Sequence, residues 1–168
     1  MKFWQLGVML AGAILIAFLW LLHAVDVQRP KGSDENQIRA LIAACDKAAA
    51  RRGAGTINHF LSNEYKDSFG FRADQARVEI ARVLGSARQV RIYIPLNSEA
   101  VIVEPDGRHA VARFDLQLQT MGGQGGGLTY NGTLQLRLQK EPVRYFILFP
   151  GAEWRIAGTE GNTPDFLE

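Results

Sequence analysis

The feature that most constrains this chain is a change of hydrophobic period at Gln89. Upstream, apolar residues recur three and four apart, the spacing of one helix face. Ile38, Leu41, Ile42, Cys45 and Ala49 predict a helix over Glu35–Arg52, ended by Gly53. Ser33 or Asp34 can cap it, and Asp34 with Gln37 has capping-box spacing. Thr56 is placed to cap a short second helix with Ile57, Phe60 and Leu61 inward and Asn58 and His59 beside them. A brief extended piece, Glu64–Ser68, leads to a third helix over Ala73–Leu84, closed by Gly85.

From Gln89 the period is two, which is the signature of half-buried strands. Val90, Ile92, Ile94 and Leu96 alternate with more polar neighbours, and Glu99–Glu104 follows as a second strand. Pro105-Asp106-Gly107 is a turn signal. His109–Met121 and Leu128–Lys140 are long and amphipathic, and they predict an antiparallel hairpin. Ala110, Ala112, Phe114, Leu116 and Leu118 share one face with Tyr130, Leu134, Leu136 and Leu138. Arg113, Asp115, Gln117, Gln119, Gln135, Arg137 and Gln139 share the other. Arg144–Phe149 and Glu153–Ala157 complete the extended segments, and 162–168 is a loose tail. Three helices that must cover the apolar face of a curled antiparallel sheet make an α+β domain over 34–161. Such a sheet closes on its helices as a cone with a cavity.

The N-terminal stretch Phe3–Val25 contains no Asp, Glu, Lys or Arg. A helix of ~23 residues spans ~34 Å, enough for a hydrocarbon core of ~30 Å. Trp4 and Trp20 stand toward its ends, where indoles favour the membrane interface. The organisation read here is a transmembrane signal anchor at 1–25, a linker at 26–33 carrying Pro30 and Gly32, and then the domain. The alternatives are a cleaved secretory signal or a buried helix. The apolar core exceeds the usual signal length of ~7–15 residues, and Leu22–Asp26 makes a poor cleavage site. Lys2 favours a cytoplasmic N-terminus, which places the domain outside the inner membrane, in a bacterium the periplasm.

Lys2 is the only charged residue before Asp26, so 18 of the 19 Lys and Arg face all 17 Asp and Glu in the remainder. No basic cluster stands out, and nucleic acid is not an expected partner. The single cysteine, Cys45, falls on the apolar stripe of the first helix and reads as a core residue. The three histidines, His23, His59 and His109, have no ligand spacing such as HxxxH, and no metal or cofactor is expected. No G-x-S-x-G elbow occurs. Gly122–Gly127 lacks the Lys-Ser/Thr of a phosphate loop and precedes a strand, so it reads as a hairpin loop.

The helix order, the segment Leu61-Ser62-Asn63-Glu64-Tyr65-Lys66-Asp67 and the strand Glu153-Trp154-Arg155-Ile156 resemble the nuclear transport factor 2-like superfamily. That group includes ketosteroid isomerase-like and SnoaL-like proteins. The resemblance covers the whole soluble part and implies a cone of three helices on a curved sheet. It also implies where chemistry would sit. Asp67 lies about where the isomerases carry their base, with Tyr65 beside it, and the bland alternative is a hydrogen-bonding position between helix and strand. His59, Phe60, Tyr65, Phe114, Leu116, Tyr130, Leu134 and Trp154 are the candidates to line a pocket. Members include enzymes, ligand pockets and interaction domains, so the fold alone decides no function. The expectation is a membrane-tethered, non-catalytic module for a partner or a small apolar ligand. A homodimer or an envelope protein would dock on the outer sheet face. The alternative is a small isomerase, cyclase or hydrolase using Asp67 and Tyr65.

Overall fold

The computed structural model describes residues 32–95, 98–122, 129–145 and 149–161. Helices α1 (Asp34–Ala50), α2 (Ala54–Phe60) and α3 (Ala73–Ser86) come first. Strands β1 (Gln89–Tyr93), β2 (Ala100–Val103), β3 (His109–Met121), β4 (Thr129–Tyr145) and β5 (Phe149–Gly161) follow. The change from helix to strand thus falls where the hydrophobic period changes. The expected anchor Phe3–Val25, most of the 26–33 linker, positions 123–128 and the tail 162–168 lie outside the described residues. Among the described residues no helix is long and apolar enough to cross a membrane.

Local chemistry sets the helix ends, and it corrects several expected boundaries. Ser33 caps α1, its Oγ accepting the Asn36 amide at 3.3 Å, while Asp34 sits in the first turn. Gln37 closes no capping box and donates to the Gly32 carbonyl instead. The chain leaves α1 through Arg52 in the left-handed region (φ 57°), with the Gly53 amide returning to Ala48 O at 2.7 Å. α2 begins two residues before Thr56, because the Gly53 carbonyl already receives the Thr56 and Ile57 amides. α3 runs through Gly85 to Ser86, because the Ala87 amide and the Ser86 hydroxyl both return to Val83 O.

The sheet order is β1-β3-β4-β5, and β2 also pairs with β3. β1, β2 and β4 each pair antiparallel with β3. β1 takes the Gln117–Met121 half of β3 and β2 the Ala110–Arg113 part. The β3–β4 hairpin runs in register from His109↔Gln139 to Gln119↔Thr129. β1 ends at Tyr93, before Ile94 and Pro95, and the expected strand end at Leu96 lies outside the described residues. β4 continues to Tyr145 through Pro142, so the expected break after Lys140 is absent. β5 is also longer than the Glu153–Ala157 piece expected.

The described residues form two compact units. The larger, 32–141 with 153–161, carries the helices and the main core. There Ile38, Leu41 and Ile42 of α1 and Ala73 and Ala76 of α3 pack with Ala110, Ala112, Phe114, Leu136, Leu138, Trp154 and Ile156. A second cluster joins Ala49, Leu84, Ala87 and Val90. The smaller unit includes the end of β4 and the start of β5, where the Tyr145 ring lies against Gly151 so closely that a side chain there would collide.

After α2 the chain lies alongside β5. Leu61 bridges Ile156 in parallel fashion, and the Ser62, Lys66 and Ser68 amides donate to Ile156, Ala157 and Thr159 at 2.9, 3.0 and 3.1 Å. The entrance of α1 is tied to the far strands. Asp34 Oδ1 accepts from Lys140 Nζ at 2.6 Å and from Trp154 Nε1 at 3.2 Å, and Lys140 stands 5.3 Å above the indole. The Lys140 hydrogen bond holds the Asp34 carboxyl below its ordinary 3.8, more than offsetting the opposing effect of burial. A lowered folded-state value means that the unfolded chain takes up the proton first. The stabilisation is therefore complete above about pH 4 and is lost as pH falls through the folded value. Wild-type urea midpoints are expected to fall more between about pH 6 and pH 3 than those of Asp34→Asn. Parallel pH profiles for the two proteins would count against the tie.

Candidate functional site

Asp67 is buried at a tight turn between α2 and α3. Its Oδ1 accepts the Phe69 amide at 3.0 Å and the Phe71 amide at 2.8 Å. Its backbone closes the same turn, the Asp67 amide donating to Phe71 O and the Gly70 amide to Asp67 O. Gly70 has φ 89°, a left-handed conformation that a side chain would strain. Tyr65 is also buried, and its hydroxyl meets Thr159 Oγ1 at 2.8 Å. Burial pushes the Tyr65 phenol up, the Thr159 hydrogen bond pulls it back, and the Asp67 carboxylate adds to the rise. The two residues are thus neighbours, each hydrogen-bonded within the fold.

Of the other interior candidates, Phe114 and Trp154 are buried in the main core, and Phe60, Leu116 and Leu134 pack against it. His59 is mostly exposed, edge-on to Phe60 and 4.0 Å from the Glu153 carboxylate. Tyr130 donates its hydroxyl to the Thr133 carbonyl at 3.2 Å, and burial raises its phenol. Cys45 packs against the core, where burial pushes its thiol up to about 12. A half-buried acid that the residue pattern did not single out is Glu99, just before β2. Its Oε1 is buried, with no hydrogen-bond partner among the described residues. The only sequence signal for it is its place at the start of a strand.

The β2–β3 turn gathers Glu104, Asp106 and His109, with ligand atoms within 4.8 Å of one another and all three residues exposed. Asp106 Oδ1 accepts the Arg108 and His109 amides, and Oδ2 lies 2.6 Å from His109 Nδ1. The Arg108 amide and the His109 ring hold the Asp106 carboxyl down to about 2. The trio reads as a turn fastened by its own side chains. Residue spacing did not suggest it, because the hairpin brings Glu104 and His109 face to face.

The outer sheet face divides into two chemically different parts. Toward the His109 end of β3 and the Glu160 end of β5 most of its polar groups are paired. Thr133 donates to Asp115, Gln135 to Glu160 and Gln139 to Ser62 and Glu141. Arg137 contacts Glu160 at 3.0 Å and donates to the Lys66 carbonyl at 2.8 Å. At the other end the register aligns Tyr93, Gln117 and Asn131 in one row and Arg91, Gln119 and Thr129 in the next. These six residues, with Ile92, Leu118 and Tyr130, line a cleft of about 370 Å³. All six are exposed, and among the described residues none of their side chains has a hydrogen-bond or ion-pair partner. A second cleft, about 380 Å³, lies against α3 and is lined by Phe71, Asp74, Gln75, Val78 and Glu79. Neither cleft contains Asp67, Tyr65 or Glu99.

No family model matches the sequence and no curated protein matches it, whereas many solved structures share its architecture. A candidate scytalone dehydratase from Novosphingobium aromaticivorans superposes with a TM-score of 0.63 at 9% identity, over 80% of this chain and 89% of that one. An NTF2-like superfamily protein from Salmonella enterica serovar Typhimurium gives 0.60 at 16%, over 79% and 92%. A cystatin-like-fold protein from Caulobacter vibrioides gives 0.59 at 14%, over 77% and 89%. The fold is NTF2-like. At these identities the likeness extends to the fold alone. The NTF2-like architecture expected from the helix order and the curled sheet is present, with three helices on one antiparallel sheet.

Proposed function

We propose that this NTF2-like domain is a non-catalytic binding module, held at a membrane by Phe3–Val25 and facing the bacterial periplasm. The observation that carries the reading is the position of Asp67. A general base must present a free lone pair to its substrate. Asp67 is instead buried, lines neither cleft, and spends its Oδ1 on two amides of its own turn, while the Tyr65 hydroxyl is engaged by Thr159. The uncharged apolar stretch needed for tethering is a property of the sequence, and the outer sheet face offers a surface for a second copy or an envelope protein. An enzyme reading has one observation in its favour, the buried Glu99 Oε1, which has no partner among the described residues. The dehydratase name among the structural neighbours supplies a reaction class to test.

Asp67→Asn retains the Oδ1 acceptor and removes the ionisable group, so it separates turn from base. Full-length wild type and the variant, purified in detergent, would be incubated with a metabolite extract and followed by mass spectrometry. The expected result is no time-dependent consumption of any compound, and equal retention of bound species by both proteins. Turnover by wild type that disappears in a folded Asp67→Asn protein would overturn the reading.

A further inference from the structure

The unpaired end of the outer sheet face has a composition that points to a ligand. We propose that the cleft between β1, β3 and β4 binds a saccharide bearing an anionic group. The inference rests on the binding-module reading and names the occupant of one surface of that module.

The argument begins with register. Strands lie ~4.8 Å apart and same-face residues ~6.8 Å apart along a strand. The rows Tyr93–Gln117–Asn131 and Arg91–Gln119–Thr129 therefore form a grid of roughly 10 by 7 Å, close to the footprint of one or two pyranose rings. Three of the six side chains are carboxamides, each offering a carbonyl acceptor beside two N–H donors. That pairing suits adjacent hydroxyls, which both donate and accept. Thr129 adds a further hydroxyl. Tyr93, 59% exposed, supplies an aromatic face for the C–H side of a sugar ring at small entropic cost.

Charge supplies the second half. Arg91 is the only charged residue lining the cleft, and among the described residues it has no acidic partner. The neighbouring acid on this face, Asp115, lies one row further along β3 and accepts the Thr133 hydroxyl. An Arg fork binds a carboxylate through two parallel hydrogen bonds, so an acidic sugar meets a complementary group here and a cationic one does not. The same face near β5 shows the contrast. There Arg137 is already paired with Glu160, and Arg113, which has no partner among the described residues, stands opposite Ala100 and Gln135, outside the cleft.

The test is a titration of the full chain in detergent with trigalacturonic acid and with neutral galactotriose. The acidic trimer is expected to bind at least tenfold more tightly than the neutral one. Arg91→Ala should abolish that preference, Tyr93→Ala should weaken both by about tenfold, and Arg82→Ala on α3 should change neither. All three side chains are exposed, and circular dichroism checks that the variants fold. Failure of both trimers to bind overturns the proposal, as does equal affinity for the two or binding that survives Arg91→Ala and Tyr93→Ala. Such a failure removes the saccharide and leaves the Asp67→Asn result as it stands. Asp67-dependent turnover, conversely, would overturn the module reading without altering this titration.

Discussion

Replacing Trp154 with alanine is expected to cost about 3–5 kcal/mol of folding stability, the range for removing a fully packed indole. The side chain is 3% exposed and belongs to the cluster joining α1 to β3, β4 and β5. It also has directional partners, since its Nε1–H donates to Asp34 and Lys140 stands over its ring. Truncation would leave a cavity and remove one of the two donors on Asp34 Oδ1. Trp154→Phe refills most of the volume without the donor, and should recover all but roughly 1–3 kcal/mol of the loss. Urea unfolding monitored by far-ultraviolet circular dichroism measures both. A Trp154→Ala midpoint close to wild type would show that this indole does not anchor the core.

Gly158→Ala is the second large effect, and it acts by crowding. A Cβ at Gly158 would lie 2.5 Å from both the Lys66 carbonyl oxygen and an Arg137 guanidinium nitrogen. The guanidinium can swing aside. The carbonyl cannot move without shifting the segment after α2, because the Lys66 amide is bound to Ala157 O. The expected cost is about 1–3 kcal/mol, as for other overpacked sites. Faster hydrogen exchange should be confined first to the Ser62, Lys66 and Ser68 amides that dock on β5. Gly55→Ala is the control. Nothing lies within 4 Å of its added methyl in α2, and stability should hold or rise by up to ~1 kcal/mol. Equal losses for the two variants would mean that the close approach at Gly158 carries no weight.

Much of the architecture was legible from periodicity. Ile38, Leu41 and Ile42 had to share a helix face, and Ala110, Ala112 and Phe114 a sheet face, because their spacings match only those elements. All six are buried in one core. Boundaries were less legible where a backbone carbonyl overrode a familiar signal. Gly85 looked like a helix stop, yet Val83 O receives both the Ser86 hydroxyl and the Ala87 amide, and the helix continues past the glycine. Thr56 looked like a cap, yet Gly53 had already taken that place.

The site was legible only in part, for a physical reason. The sequence alone determined that helices precede strands, which residues face inward, that Asp115 points out, and that Phe3–Val25 is apolar enough to span a membrane. These follow from spacing and composition, which are local. The tertiary structure decided who meets whom. Tyr65 reaches a hydroxyl 94 residues away, and Asp34 reaches Lys140 across 106. The outer face looked like one uniform polar row until the β1–β3–β4 register separated its paired groups from its unpaired ones. Tyr93 and Asn131 are 38 positions apart in the chain, and only strand pairing through Gln117 brings them into one row. A strand's period fixes its faces, but its neighbours come from long-range hydrogen bonding, and those neighbours determine whether Arg91 is a paired surface charge or one left free to bind.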